Sequence, residues 1–259
     1  MRIDGSTALI TGASEGIGAA CVRAFRERGA RIVLTARDEA KLAHVAAADD
    51  LVAAGDLLND EDRKRIVDAA LNRFGRIDIL VNNAGIGLYR PAHLADMAQV
   101  RHMFELNFFA PLALTQLVVP SMRERSGGVI VNISSVAGKV TLPWFTLYSA
   151  SKYALCSLSD GMRMELKSAG IHVLTVCPGY VRTGFQSHVL HGQAPATLTK
   201  NRNRFSISAD QCAAAVVRGV EKGKRTVVTP WTGWLFVAAE RLFPGLMDQQ
   251  LGRISRTQP

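Results

Sequence analysis

The sequence contains no Cys-x-x-Cys pair and no His/Cys cluster, and its four cysteines, Cys21, Cys156, Cys177 and Cys212, are widely scattered. That spacing argues against a zinc site or a disulfide framework and leaves thiols buried or half-buried in a reducing compartment. A basic n-region followed by a cleavable apolar segment is also missing, because an apolar strand, Thr7–Thr11, begins almost at once. The most apolar late stretch, Trp231–Ala239, is far too short to span a bilayer. A cytoplasmic location is the expectation. Net charge is +9, yet Lys and Arg are dispersed, with local concentrations at Arg23–Arg31, Lys200–Arg204 and Lys222–Arg225. A nucleic-acid binder gathers such charge into one stripe interleaved with aromatics or a reading helix. No nucleic-acid partner is therefore expected; the excess suits solvated helix faces and attraction for a phosphorylated cofactor or an anionic substrate.

What is present is an ordinary packed chain, 48% hydrophobic and 20% charged over 259 residues. Short apolar runs alternate with helical patterns throughout. The spacing predicts strands at Thr7–Thr11, Arg31–Thr35, Asp50–Ala54, Ile77–Asn82, Gly128–Ser134, His172–Cys177 and Arg225–Thr229. Between them, Ile17, Cys21, Ala24 and Phe25 follow helical spacing, with Gly29 as a stop, and Val67, Ala70, Leu71 and Phe74 repeat the pattern before Gly75. Ser208, with Gln211 three residues on, predicts a capping box opening a helix through Gly219. Strands rich in Val, Ile and Leu without alternation belong to parallel sheets covered on both faces. The expected fold is α/β, doubly wound and Rossmann-like, with a mainly seven-stranded parallel sheet. No linker or repeat divides the chain, so residues 1–259 are read as one dinucleotide-binding domain. It carries a variable loop at about 184–207 and an apolar C-terminal segment at about 230–247.

The segment Thr11-Gly12-Ala13-Ser14-Glu15-Gly16-Ile17-Gly18 joins the first strand to the first helix. Glycines serve where a backbone turns sharply and a pyrophosphate must approach main-chain N–H groups at a helix N-terminus. The spacing is G-x-x-x-G-x-G rather than the commoner G-x-G-x-x-G. Asp56 and Leu57 follow the third strand, and Asn82-Asn83-Ala84-Gly85 the fourth, at the carboxyl edge where open α/β sheets bind ligands. Tyr148-Ser149-Ala150-Ser151-Lys152 follows the fifth, thirteen residues after Ser135. With these residues together, the chain resembles the short-chain dehydrogenase/reductase family, in its ordinary-length, Y-x-x-x-K branch, from Thr7 to about Thr183.

The second strand ends Leu34-Thr35-Ala36-Arg37-Asp38, with no carboxylate at the strand end itself. A cation there favours the 2′-phosphate of NADP, and the Arg37 guanidinium suits a phosphate. The expected cofactor is NADP, with NAD an open alternative, because Glu15 stands where many NADP-preferring members carry a second cation and Asp38 adjoins Arg37. Tyr148 and Lys152, four apart, share one helix face. A free tyrosine has a pKa of about 10, and a neighbouring ammonium and the positive nicotinamide ring both favour phenolate. The resemblance implies Tyr148 as general acid/base, Lys152 on the nicotinamide ribose, Ser135 on the substrate oxygen, and Asn107 supporting a water and Lys152 in a proton relay. Ser134 is the rival of Ser135. The resemblance also places Pro178, Gly179, Val181 and Thr183 against the nicotinamide carboxamide and phosphates.

The implied activity is NADP-dependent interconversion of a ketone or aldehyde with its alcohol. Trp144, Phe145 and Phe185, with His188 and His191, are candidates for an apolar substrate pocket. Two alternatives stand beside this reading: a 3-ketoacyl thioester reductase, and a dinucleotide-binding sensor without catalysis. The first is ranked lower because the chain runs on through Trp231–Phe236 and Leu242–Met247 instead of ending in a Gly-rich strand. Sensors on this fold typically lose the tyrosine or lysine. The tail is expected to pack in the core or between subunits, with a membrane surface less favoured. A homodimer or homotetramer is expected by resemblance alone.

Overall fold

The computed structural model describes residues 1–125, 127–185, 189–190 and 206–255. Strands β1 (Thr7–Thr11), β2 (Arg31–Thr35), β3 (Leu51–Val52), β4 (Ile79–Asn82), β5 (Gly128–Ile133), β6 (Ile171–Pro178) and β9 (Thr226–Thr229) form one sheet. Its order is β3-β2-β1-β4-β5-β6-β9 and every pairing is parallel. The strand order reverses between β1 and β4, which opens a crevice at their carboxyl ends. A separate two-stranded pair joins β7 (Val181–Arg182) to β8 (Ile207–Ser208).

All seven predicted strands exist, the first two with the expected bounds and the other five with shifted ends. The third is the shortest at two residues, because Asp50 accepts from the Ala47 backbone (2.8 Å) and pairs with Arg26 before the strand starts. Beyond it the chain stays extended, and Ala53 and Gly55 still donate to Leu34 and Ala36 of the β2 side.

Helices α1 (Gly16–Arg26) and α7 (Ala209–Glu221) cover one face; α3 (Asp60–Phe74), α5 (Ala110–Glu124) and α6 (Thr146–Glu165) cover the other. Successive strand residues point to opposite faces, so Ile10 joins Phe25 and Val216 on the first side while Leu9 joins Ile66 and Leu114 on the second. Each such fully buried large side chain contributes about 1.5–3 kcal/mol relative to exposure. The Ser208–Gln211 capping box opens α7 as expected. All four cysteines are free and buried. Part of the Arg23–Arg31 charge is spent within the fold, since Arg23 pairs with Asp210 (2.6 Å), Arg26 with Asp50 and Arg28 with Glu221.

A short α2 (Glu39–Val45) follows β2, and α4 (Met97–Phe104) precedes α5. Between α4 and α5, Glu105–Phe109 forms a π-helical turn, so Met97–Glu124 is one long helical run with a bulge in its middle. The run is apolar and long enough to cross a membrane by length and composition. Here it lies on the sheet, with Leu114, Val118 and Met122 in the core.

Of the two placements expected for the tail, core packing is not the one adopted within the chain. It folds into α8 (Gly233–Leu242) and α9 (Pro244–Ser255), of which Val237 is buried, while Trp231, Trp234, Leu235, Leu242, Phe243 and Leu246 are exposed.

Candidate active site

The carboxyl ends of β1, β2, β4, β5 and β6 surround a cleft of about 850 Å³. Its floor is built by reciprocal hydrogen bonds between two loops. The Thr11 hydroxyl donates to the Val81 carbonyl (3.2 Å) and accepts from the backbone of Asn83 (2.9 Å) and Ala84 (3.0 Å). The Asn83 amide in turn donates to the carbonyls of Thr11 (2.8 Å) and Gly12 (3.2 Å). Below it, Asn82 donates to Asn132 (2.8 Å) and Asn132 to Ser159 (2.8 Å), tying β4 and β5 to α6.

The glycines are needed by this contact. Gly12 has φ +60°, and a Cβ there would lie 2.9 Å from the Asn83 amide nitrogen. A Cβ on Gly18 would overlap the Gly12 carbonyl oxygen, and Gly16 has φ +57°. Gly18 packs beneath the loop and is not part of the cleft wall, whereas Gly12, Ser14, Glu15, Gly16 and Ile17 line it. Glu15 makes no side-chain cap hydrogen bond to α1, so the first-turn N–H groups keep their capacity for an anion. Arg37, Asp56, Leu57, Asn83, Ala84 and Gly85 line the same cleft, as do Pro178, Gly179, Val181 and Thr183. A phosphorylated dinucleotide fits this cradle: close backbone, a helix N-terminus and a cation at one end.

Ser135, Tyr148 and Lys152 meet at the other end of the cleft. The two serines after β5 separate cleanly. Ser134 donates to the Lys152 carbonyl (3.0 Å) and contacts Cys156, so it is a structural bond between β5 and α6. The Ser135 hydroxyl instead donates to the Pro178 carbonyl (3.5 Å), accepts from the Ala137 backbone (3.0 Å) and lies near enough to the Tyr148 phenol to favour its ionised form. Lys152 donates from Nζ to the Ile133 carbonyl (3.1 Å) and lies 5.7 Å from the Tyr148 ring centre.

Electrostatics here run against the phenolate expectation. Burial pushes the Tyr148 phenol well up from its ordinary 10, and the Ser135 hydroxyl opposes this only in part. Burial also brings the Lys152 ammonium down to about 8. Without the positive nicotinamide ring, the site keeps its phenol protonated.

Asn107 sits fully buried in the π-helical turn. Its amide oxygen accepts from the Ile86 backbone (2.9 Å), and its nitrogen donates to the Ile86 carbonyl (2.9 Å) and the Ser151 hydroxyl (3.0 Å). The side chain is thus a clamp on the loop after Gly85, rather than a direct partner of the Lys152 ammonium. It still borders that ammonium: a Cβ on Gly85 would lie 3.0 Å from Asn107 Oδ1 and 3.3 Å from Lys152 Nζ.

Of the substrate candidates, Phe145 and Phe185 line the cleft. Trp144 does not line it among the described residues; its backbone has φ +66° and its indole nitrogen is buried without a hydrogen-bond partner. His188, His191 and the Lys200–Arg204 cluster lie outside the described residues. Sequence reading missed Ile86, Tyr89, His102 and Leu106 on the substrate side, and Lys41 on the opposite rim. Tyr89 stacks on Phe145 at 4.2 Å, a contact between separate segments with no local signature.

Residues 6–194 match the family model described as short chain dehydrogenase. The chain is 34% identical to dehydrogenase/reductase SDR family member 7B of Danio rerio, over 99% of this chain and 88% of the relative. It is similar to a short-chain dehydrogenase/reductase of Burkholderia phymatum solved with NAD (TM-score 0.85, 25% identity, 95% and 96% coverage). A short-chain dehydrogenase of Burkholderia cenocepacia solved with NADP matches equally well (TM-score 0.82, 27% identity, 97% and 99% coverage).

Proposed function

Because this chain belongs to the short-chain dehydrogenase/reductase family, we propose that it interconverts a ketone or aldehyde with its alcohol, using NADP and Tyr148 as the acid/base. The observation that carries the chemistry is that Ser135 and Tyr148 share the cleft wall, with Lys152 one turn behind Tyr148. A nicotinamide dinucleotide held by the Gly12–Ile17 loop and the Pro178–Thr183 segment would supply or accept the hydride at the substrate carbon. Ser135 and Tyr148 hold the carbonyl oxygen from two sides, and the phenol releases its proton as that oxygen becomes an alkoxide. A protonated, buried phenol is the form that reduction requires. Lys152 then faces a phenolate, and its ammonium stabilises that charge while the proton is replaced.

The choice of NADP rests on Arg37 at the cleft rim beyond β2 and on the fate of Asp38. The Asp38 carboxylate accepts from the Lys41 backbone (3.0 Å) and caps α2, so it is committed to a helix start instead of a ribose. The substrate side, walled by Ile86, Tyr89, Leu106, Phe145, Phe185 and Leu190, suits a carbonyl with an apolar, ring-bearing body. The test is consumption of NADPH and of NADH with a panel of cyclic, aromatic and linear ketones and aldehydes. Faster turnover with NADPH on ring-bearing carbonyls is expected. Equal or better rates with NADH would overturn the cofactor assignment, and failure on every carbonyl and alcohol tested would overturn the activity.

A further inference from the structure

The rim of the cleft beyond β2 holds a second cation that the glycine loop and the strand end do not announce. Lys41 projects from α2 into the cleft wall alongside Arg37, and its Nζ lies 3.9 Å from Glu15 Oε2. Both partners are substantially solvated, with side-chain exposures of 56% and 39%. Such a pair is weak and screened, and a stronger anion displaces it readily. Arg37 has no ion-pair partner among the described residues. Of the carboxylates on this rim, Asp38 is held by the α2 backbone and Glu15 faces Lys41. One guanidinium and one exchangeable ammonium therefore flank the same opening.

Resting on the NADP reading above, we propose that Lys41 is a specificity-determining residue for the 2′-phosphate, and that Glu15 is the counter-ion it leaves to take that phosphate. A phosphate monoester carries nearly two negative charges at neutral pH and outcompetes one solvated carboxylate for a nearby ammonium. Arg37 presents a planar fork, and Lys41 a mobile point charge that reaches the remaining oxygens. For a dinucleotide without that phosphate, Lys41 keeps its bond to Glu15 and contributes little. The Glu15–Lys41 pair thus sets the discrimination: Lys41 raises affinity for the phosphorylated nucleotide, and Glu15 moderates it.

The experiment titrates adenosine 2′,5′-bisphosphate and adenosine 5′-monophosphate into the full chain by calorimetry, with NADPH and NADH followed in parallel by fluorescence. Lys41→Met is expected to weaken the bisphosphate and NADPH about tenfold and to change the monophosphate and NADH less than about twofold, one tenfold step being 1.4 kcal/mol. Glu15→Gln is expected to strengthen the bisphosphate about threefold, and the double variant to lose that gain, because Glu15 acts through Lys41. Added salt should weaken the bisphosphate more in the wild type than in Lys41→Met. If Lys41→Met leaves the bisphosphate-to-monophosphate ratio unchanged while Arg37→Met collapses it, the role of Lys41 is overturned and the NADP reading stands. A wild-type chain that binds the two nucleotides alike overturns both.

Discussion

The Phe145 ring lies on the Tyr148 ring, with centroids 4.1 Å apart and planes 19° from parallel, and Tyr89 stacks on Phe145 in turn. Phe185 meets Tyr148 edge-on at 5.8 Å. The phenol that faces Ser135 is therefore positioned by packing as well as by its own helix. Stacked pairs of this kind contribute about 0.5–1.5 kcal/mol beyond area burial. Phe145→Leu keeps most of the apolar volume and removes the stack. Turnover is expected to fall about tenfold, one such step being about 1.36 kcal/mol of barrier. Dinucleotide affinity is expected to stay within about twofold. Single-turnover rates beside fluorescence titration check both, and unchanged turnover would remove Phe145 from the positioning of Tyr148.

Tyr148→Phe deletes the proposed acid and leaves the ring stack intact. General acid–base groups contribute about 10²–10⁴ in rate, and a loss at the upper end of that range is expected here, with cofactor binding retained. Wild-type-like turnover in this variant would defeat the mechanism.

Burial of Lys152 makes stability depend on pH in a definite direction. Its folded pKa, about 8, lies below the ordinary lysine value of 10.5. Between those values the unfolded chain binds more protons, so the cofactor-free fold gains stability as pH rises from about 8 towards 10.5, by as much as about 3 kcal/mol. Tyr148, with its pKa raised, acts the other way above pH 10, where the unfolded phenol ionises first. The expected signature is a melting temperature that climbs between pH 8 and 10, relative to Lys152→Met, and then turns down. A flat difference between the two proteins across that window would refute the assignment.

Asn107→Ala leaves the Ile86 N–H and C=O groups without their side-chain partner in a buried place. Each orphaned buried group costs about 1–3 kcal/mol, so urea unfolding should show a loss of at least about 2 kcal/mol. The same variant should loosen the Asn83–Gly85 loop, which amide hydrogen exchange at Ile86 would detect as faster exchange.

What could be read from sequence follows how local each signal is. The strands, the Ser208–Gln211 box and the glycine loop are written in consecutive residues, and each stands within a few positions of its expected place. Ser135 was distinguishable from Ser134 by its distance to Tyr148 in the chain, and the structure shows each serine with different bonds. The π-helical turn at Glu105–Phe109 has no such signature, since Leu106, Asn107 and Phe108 would suit an α-helix equally well. Lys41 was hidden because α2 brings it to Glu15 across 26 residues of sequence. The burial that raises the Tyr148 phenol escapes the sequence for a related reason: proximity of Lys152 is legible in a Y-x-x-x-K spacing, while the depth of burial that opposes its effect is a property of the whole fold. For the tail, apolar composition does not say whether the covering surface lies within the chain or outside it.

The Thr11 hydroxyl, shared among Val81, Asn83 and Ala84, has a consequence for anyone recombining such enzymes. One oxygen joins the glycine loop to the loop after β4, so neither half is a separable module. An exchange of residues 1–60 alone would separate Asn83 from the Thr11 and Gly12 carbonyls to which its amide donates. A segment from β1 through Gly85 carries both sides of that contact together.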